Sequence, residues 1–207
     1  MIRLALIDYG SGNVRSVRRA LESAAAIAGV SLDVQLTADP DAVRLADRIV
    51  LPGVGHFADC AQGLRARPGL VEAMDEAVRA NGRPFLGVCV GMQLLADVGR
   101  EDADTPGLGW IAGAVERIRP SDPSLPVPHM GWNALEIRRD HPVFRNLGPD
   151  AHVYFTHSYV FRPDDPDSVA AEFSYGGRFV AAIAQKTMVG AQFHPEKSQK
   201  TGQHVLA

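Results

Sequence analysis

The sequence predicts an α/β fold in three layers: a mostly parallel central sheet with helices on both faces and a more antiparallel C-terminal half. Three observations predict it. Short, almost wholly apolar strand patterns alternate with helical stretches through the first half of the chain. Such strands lack the apolar–polar alternation of a half-exposed strand, so both of their faces are covered, as in a parallel sheet. Beyond about residue 108 the strand patterns continue without long helical stretches between them.

Residues 2–7 (IRLALI) read as a buried strand, ended by Asp8-Tyr9-Gly10-Ser11-Gly12. A helix follows over about 13–28, closed by Gly29. Residues 31–37 form a second strand; Asp39-Pro40-Asp41 breaks it and starts a short helix. Residues 47–51 are a third strand, stopped by Pro52-Gly53. A long helical stretch fills about 57–79 with a break at Pro68-Gly69, and 81–84 is a turn. Residues 85–88 are a short apolar strand and 92–97 read as helical. In the second half, strands are expected at 114–118, 134–138, 152–161, 169–173, 180–185 and 188–193, packed onto the same sheet. Residues 121–128 hold three prolines and read as a loop.

A chain of 207 residues is expected to form a single domain over residues 1–207, since domains usually run ~100–200 residues. Net charge is −3, so no basic stripe offers itself to a nucleic-acid backbone. The two cysteines, Cys60 and Cys89, are too few for a disulfide framework and fit a reducing compartment. The apolar start runs straight into Asp8, too short for a membrane span or signal segment. A cytoplasmic protein with no membrane or nucleic-acid partner is expected.

The informative segment is Gly87-Val88-Cys89-Val90-Gly91, after an apolar strand and before a helical one. G-x-C-x-G is the sulfur version of the nucleophile elbow. A sharp strand-to-helix turn holds the nucleophile at a strained backbone angle and needs small flanking residues. It also sets the sulfur near a helix N-terminus, where free amides favour thiolate over thiol. The Val90 amide would then face a developing oxyanion. A lone cysteine is ordinarily a buried structural residue; the paired glycines and the strand–turn–helix context reverse that reading.

A thiolate needs a base, and the base an orienting group. Of seven histidines, His194 stands out because it opens His194-Pro195-Glu196 at the end of the last apolar strand. Pro195 holds His194 extended, and residues i and i+2 of an extended segment share a side, so Glu196 can reach the imidazole. Leu51-Pro52-Gly53-Val54-Gly55-His56 is a glycine-flanked turn after the third strand, at the carboxyl edge where ligands bind in parallel sheets. Neither it nor Gly10-Ser11-Gly12 satisfies a phosphate motif. No Cys or His pair has metal-ligand spacing, so no metal or cofactor is expected. Trp110 and Trp132 read as packing residues.

Together the elbow cysteine, the Pro-Gly-x-Gly loop and the distal His-Pro-Glu resemble the class I (triad) glutamine amidotransferases. More narrowly they resemble the branch of glutaminase subunits of imidazole glycerol phosphate synthase. The resemblance runs from residue 8 to 198 and is carried by Asp8-Tyr9-Gly10-Ser11-Gly12-Asn13, Leu51-Pro52-Gly53-Val54-Gly55, Gly87-Val88-Cys89-Val90-Gly91-Met92-Gln93, Pro128-His129-Met130-Gly131-Trp132-Asn133, Tyr154-Phe155-Thr156-His157-Ser158-Tyr159 and Gln192-Phe193-His194-Pro195-Glu196-Lys197-Ser198. Nine residues follow Ser198, where family members usually finish with a longer helix.

The resemblance implies hydrolysis of L-glutamine to glutamate and ammonia through Cys89, His194 and Glu196. It implies an oxyanion hole from the amides of Val54 and Val90, and substrate contacts from Gly55, Gln93, Ser158 and Tyr159. It implies a heterodimer in which Asn13, Tyr154 and Lys197 face a cyclase subunit, a (β/α)8 barrel that receives the ammonia and makes imidazole glycerol phosphate in histidine biosynthesis. A loop at 52–55 that turns its amide inward only on docking would act as a switch. Two other readings stay open on the residues alone: a self-sufficient cysteine hydrolase, and a binding module that kept the fold.

Overall fold

The structure, a computed structural model, describes residues 1–207. Its eight-stranded sheet begins with five mutually parallel strands in the order β2 (Leu32–Thr37), β1 (Ile2–Ile7), β3 (Arg48–Gly53), β4 (Phe85–Cys89) and β14 (Met188–Ala191). β13 (Arg178–Gln185), β12 (Val169–Ser174) and β9 (Glu136–Ile137) extend it antiparallel. Four of the seven pairings are parallel. Two smaller sheets flank it. β8 (His129–Ala134) pairs with β10 (His152–His157), and β11 (Tyr159–Pro163), β7 (Gly113–Arg117), β5 (Val98–Arg100) and β6 (Asp104–Pro106) form the other.

Successive side chains of a strand point to opposite faces, and here both faces are apolar. Leu4, Leu6 and Val50 pack on Val17 and Leu21 of α1 (Val14–Ile27), with Leu206 of α6 (Gln199–Leu206) beside them. Ala5, Ile7, Ile49 and Leu51 face the other way, onto Phe57, Cys60 and Leu64 of α3 (Phe57–Arg65) and Leu70 and Met74 of α4 (Leu70–Asp75). Each Leu, Ile, Val, Phe or Met among them contributes ~1.5–3 kcal/mol when fully buried, which makes the middle strands a rigid platform for whatever their ends carry. A separate aromatic core of Phe155, Phe173, Phe179 and Phe193 lies under the antiparallel half. Short α2 (Pro40–Leu45) is capped by Asp39, whose carboxylate accepts from the Asp41 amide. No helix is long and apolar enough to cross a membrane.

Several sequence-based boundaries move. The third strand runs through Pro52-Gly53 rather than stopping there. Its pairing to β1 has already ended by Val50, so the proline's missing N–H costs nothing on that side. The expected helix over 92–97 is instead a single turn, α5 (Val90–Gln93). The carbonyls of Leu94, Leu95 and Ala96 accept from the amides of Leu108, Trp110 and Gly109, so the helix ladder has no acceptors left to continue. Residues 152–161 are two strands broken at Ser158, each pairing in a different sheet. The strand expected at 134–138 is divided between the end of β8 and β9, and β5, β6 and most of β8 were not foreseen. Only part of the second half joins the main sheet. Trp110 packs edge-on against Phe85, but Trp132 is 48% exposed.

Candidate active site

The carboxyl ends of β3 and β4 lie side by side, with Gly53 opposite Cys89. Cys89 has φ 54° and ψ −112°, a conformation strained for any residue with a side chain. The flanking glycines are sterically required. A Cβ on Gly91 would sit 1.9 Å from the Leu51 carbonyl oxygen, and one on Gly87 2.6 Å from the Gly91 carbonyl oxygen. Because α5 is one turn long, the Val90 amide beside the sulfur is a local donor rather than the end of a long dipole.

His194 arrives from the strand next door. Its amide donates to the Tyr154 carbonyl at 2.9 Å, and Ser198 Oγ donates to the His194 carbonyl at 2.7 Å. Ser198 Oγ also accepts from the Tyr154 amide at 3.0 Å, stitching β10 to this segment. Glu196 sits in a 3-10 turn over Pro195–Lys197, closed by the Lys197 amide on the His194 carbonyl. The His194–Glu196 contact thus comes from a turn and not from the extended backbone that the sequence suggested. Imidazole Nδ1 lies 2.8 Å from Glu196 Oε1, with both side chains 2% exposed. Glu196 Oε2 has no hydrogen-bond partner, so the ring is the one side chain that the carboxylate hydrogen-bonds. Burial disfavours charge on His194, but the hydrogen bonds and charges of Cys89 and Glu196 outweigh it and push the imidazole up to about 9.

Cys89 and His194 open on a cavity of about 460 Å³, which Glu196 does not line. Of the residues expected at the site, Val54, Gly55, Cys89, Val90, Gln93, Ser158, Tyr159 and His194 line it, as do Asn13 and Lys197. Tyr154 does not line it but packs against Lys197, whose Nζ lies 5.9 Å from its ring centroid. A second cavity, about 420 Å³, opens by Arg48, Pro84 and Lys186, at the amino ends of the strands, away from the cysteine. Cys60, the other thiol, lies under the 52–55 loop with Sγ donating to the Val54 carbonyl at 3.5 Å, and burial pushes it up.

Three residues at the site escaped sequence reasoning. Glu101 is the one acidic side chain lining the cavity, and no motif in the sequence marks it. His157 lies inside the cavity wall with its charged form suppressed to about 4 by burial. Gln192 is fully buried, with Nε2 3.8 Å from Cys89 Sγ. The apolar residues around Gln192 were the available signal, since a buried amide must find partners.

A cysteine on a strand-to-helix elbow of an α/β sheet, with histidine and carboxylate arriving after a later strand, is an arrangement able to support nucleophilic attack on an amide. The family model described as "Glutamine amidotransferase class-I" matches residues 5–207, and the chain belongs to that family. Within it, the HisH subunit of imidazole glycerol phosphate synthase from Rhodospirillum rubrum is 54% identical over all of this chain and 97% of that protein. The HisH subunit from Mesorhizobium japonicum is 53% identical over 97% of this chain and 94% of that protein. A solved glutamine amidotransferase shares the fold with TM-score 0.70 at 20% identity, covering 97% of this chain and 94% of that one. Another, from Thermotoga maritima, has TM-score 0.62 at 19% identity, covering 98% and 80%.

Proposed function

We propose that this chain is a single glutaminase domain that hydrolyses L-glutamine at Cys89 and passes the ammonia to a cyclase subunit in histidine biosynthesis. The observation that carries it is His194, buried between Cys89 and the Glu196 carboxylate. A charged imidazole beside a cysteine is both a stabiliser of the attacking sulfur and a proton donor.

The Cys89 sulfur attacks the side-chain carboxamide carbon of glutamine. Charge moves to the carboxamide oxygen, which the amides of Val54 and Val90 receive. Imidazolium His194 gives its proton to the leaving nitrogen, the C–N bond breaks, and ammonia departs, leaving a thioester on Cys89. Neutral His194 then takes a proton from water, whose oxygen attacks the thioester carbon. The acid product leaves, losing its remaining proton to solvent as glutamate, and the sulfur anion and imidazolium return. Glu196 holds the ring in one tautomer throughout.

Gly55, Gln93, Ser158 and Tyr159 hold the α-amino and α-carboxylate groups of glutamine, with Glu101 the natural partner for the ammonium. The relatives' names describe a synthase subunit, which supports docking of a cyclase, a (β/α)8 barrel, over the cavity mouth, where Asn13, Tyr154 and Lys197 lie. Exposed Val54 (39%) on the cavity lining, and Met130 (63%) and Trp132 (48%) on the strand paired to β10, support it further, because large exposed apolar groups mark contact surfaces. Free ammonia is mostly protonated at neutral pH and a poor nucleophile, so direct transfer within a cytoplasmic heterodimer keeps it reactive. Gly55 has φ +98°, and glycine's backbone freedom suits a loop whose Val54 amide turns inward on docking.

Glutamine turnover measured with and without the cyclase and its nucleotide ligand tests this reading. A rise of about 10²-fold or more on docking is expected if a missing oxyanion donor is the switch. Full turnover by the isolated chain, unchanged by the barrel, would replace it with a self-sufficient hydrolase.

A further inference from the structure

Gln192, to which the steps above give no role, forms a line of buried amides with Gln93 of the cavity wall. Gln192 Nε2 donates toward Cys89 Sγ at 3.8 Å, while its Oε1 accepts from Gln93 Nε2 at 3.0 Å. Gln93 Nε2 also donates to the Tyr159 carbonyl at 3.0 Å. That carbonyl takes a second hydrogen bond, from His157 Nδ1 at 2.9 Å.

The directions in this line are forced. A backbone carbonyl can only accept, so Gln93 must turn its NH2 group toward Tyr159. Its second N–H then meets Gln192, which must answer with oxygen. The Gln192 NH2 group is left facing the sulfur. Flipping Gln192 would set N–H against N–H on one side and an amide oxygen against the sulfur anion on the other. Both amides are almost fully buried, 4% for Gln93 and 0% for Gln192, so water cannot rescue either mismatch.

We propose that Gln192 is a positioning residue for the nucleophile: its amide, locked in one orientation by Gln93, presents an N–H to Cys89 Sγ and favours the anionic sulfur. A donor to the charged form of a buried acid favours ionisation, and low surrounding polarity strengthens the effect. The inference rests on the reading of Cys89 as nucleophile. It assigns His157 a part too, since His157 and Gln93 together pin the Tyr159 carbonyl that starts the line.

The test is the pH dependence of Cys89 alkylation by iodoacetamide in the full chain, read by peptide mass so that Cys60 is counted separately. Gln192→Met keeps the length of the side chain and removes the donor. Its alkylation midpoint is expected about one pH unit above wild type, with about tenfold slower reaction at neutral pH. The high-pH plateau is expected to stay at the wild-type level, which a mere change of access to the sulfur would not leave intact. Gln93→Met releases the lock and is expected to move the midpoint in the same direction by less; it serves if Gln192→Met does not fold. A midpoint at the wild-type position in a folded Gln192→Met variant overturns the proposal. Glutamine hydrolysis by Cys89→Ala separates the two readings: activity retained there removes the nucleophile, whereas a dead Cys89→Ala with an unmoved midpoint removes only the role of Gln192.

Discussion

His129 Nδ1 lies 3.1 Å from His157 Nε2, and only one direction of donation is open to the pair. His157 Nδ1 spends its hydrogen on the Tyr159 carbonyl, so Nε2 is the acceptor and His129 the donor. His129 Nε2 in turn faces Asn133 Nδ2 at 3.4 Å. Phe155, Phe173 and Tyr175 surround His129, with the Phe173 ring stacked at 4.9 Å. A proton added to either ring would break a donor–acceptor match inside an apolar shell.

Acid is therefore expected to unfold the protein through this pair. Burial suppresses both imidazoles to about 4, below the ordinary value of 6.5. Between about 6.5 and about 4 the unfolded chain takes up protons that the folded chain refuses, so stability falls as pH drops through that window. Urea midpoints at about pH 7.5 and about pH 5 check this. A His129→Gln, His157→Gln variant should start less stable but lose less on acidification.

Removing the carboxylate from the His194–Glu196 pair should cost rate far more than binding. Glu196→Gln is expected to lower glutamine kcat by about 10²–10⁴-fold, since an orienting carboxylate sets both tautomer and charge. The pair also has an alkaline limit. His194 is raised above its ordinary value, so its contribution to stability is complete below about 6.5 and is lost as pH rises through about 9. Thermal midpoints across that range should fall in wild type and stay flatter in Glu196→Gln.

The elbow leaves no room for one added methyl. Gly91→Ala drives a Cβ into the Leu51 carbonyl, and a loss of about 3 kcal/mol or more is expected, at the upper end of overpacking costs. Gly148→Ala, where nothing lies within 4 Å, is the control, expected within about 0.5 kcal/mol of wild type. Denaturant midpoints of the two variants separate a steric clash from a general intolerance of substitution.

Trp132 stands on β8 directly opposite Tyr154 of β10, half exposed, its ring 6.0 Å from that of Tyr154, on which Lys197 of the cavity lining also rests. Trp132→Ala is expected to weaken association with the cyclase by about 2 kcal/mol, roughly 30-fold in Kd, as for an aromatic anchor at an interface. The isolated variant should melt within about 0.5 kcal/mol of wild type. Titration calorimetry and a thermal melt read the two quantities independently.

The parallel half of the fold was legible because its strands are apolar on both faces, and only a sheet covered on both sides uses such runs. The elbow was legible because Gly-x-Cys-x-Gly is a steric demand written in consecutive residues. β8 was not, because Gly131 and Asn133 are poor strand formers and its pairing to β10 decides its shape. The break at Ser158 was missed because the two halves of an apparently continuous strand are claimed by different partners.

By itself, then, the order of residues determined the layered sheet, the thiol on its sharp turn and the membership of His194 and Glu196 in one short segment, all of which are local patterns. Only the tertiary structure decided that Glu101 borders the cavity, that His157 and His129 are neutral partners, and that Gln192 turns its amide toward Cys89. Those three depend on which distant groups share a buried space, and in that space each donor must find an acceptor that no local pattern names.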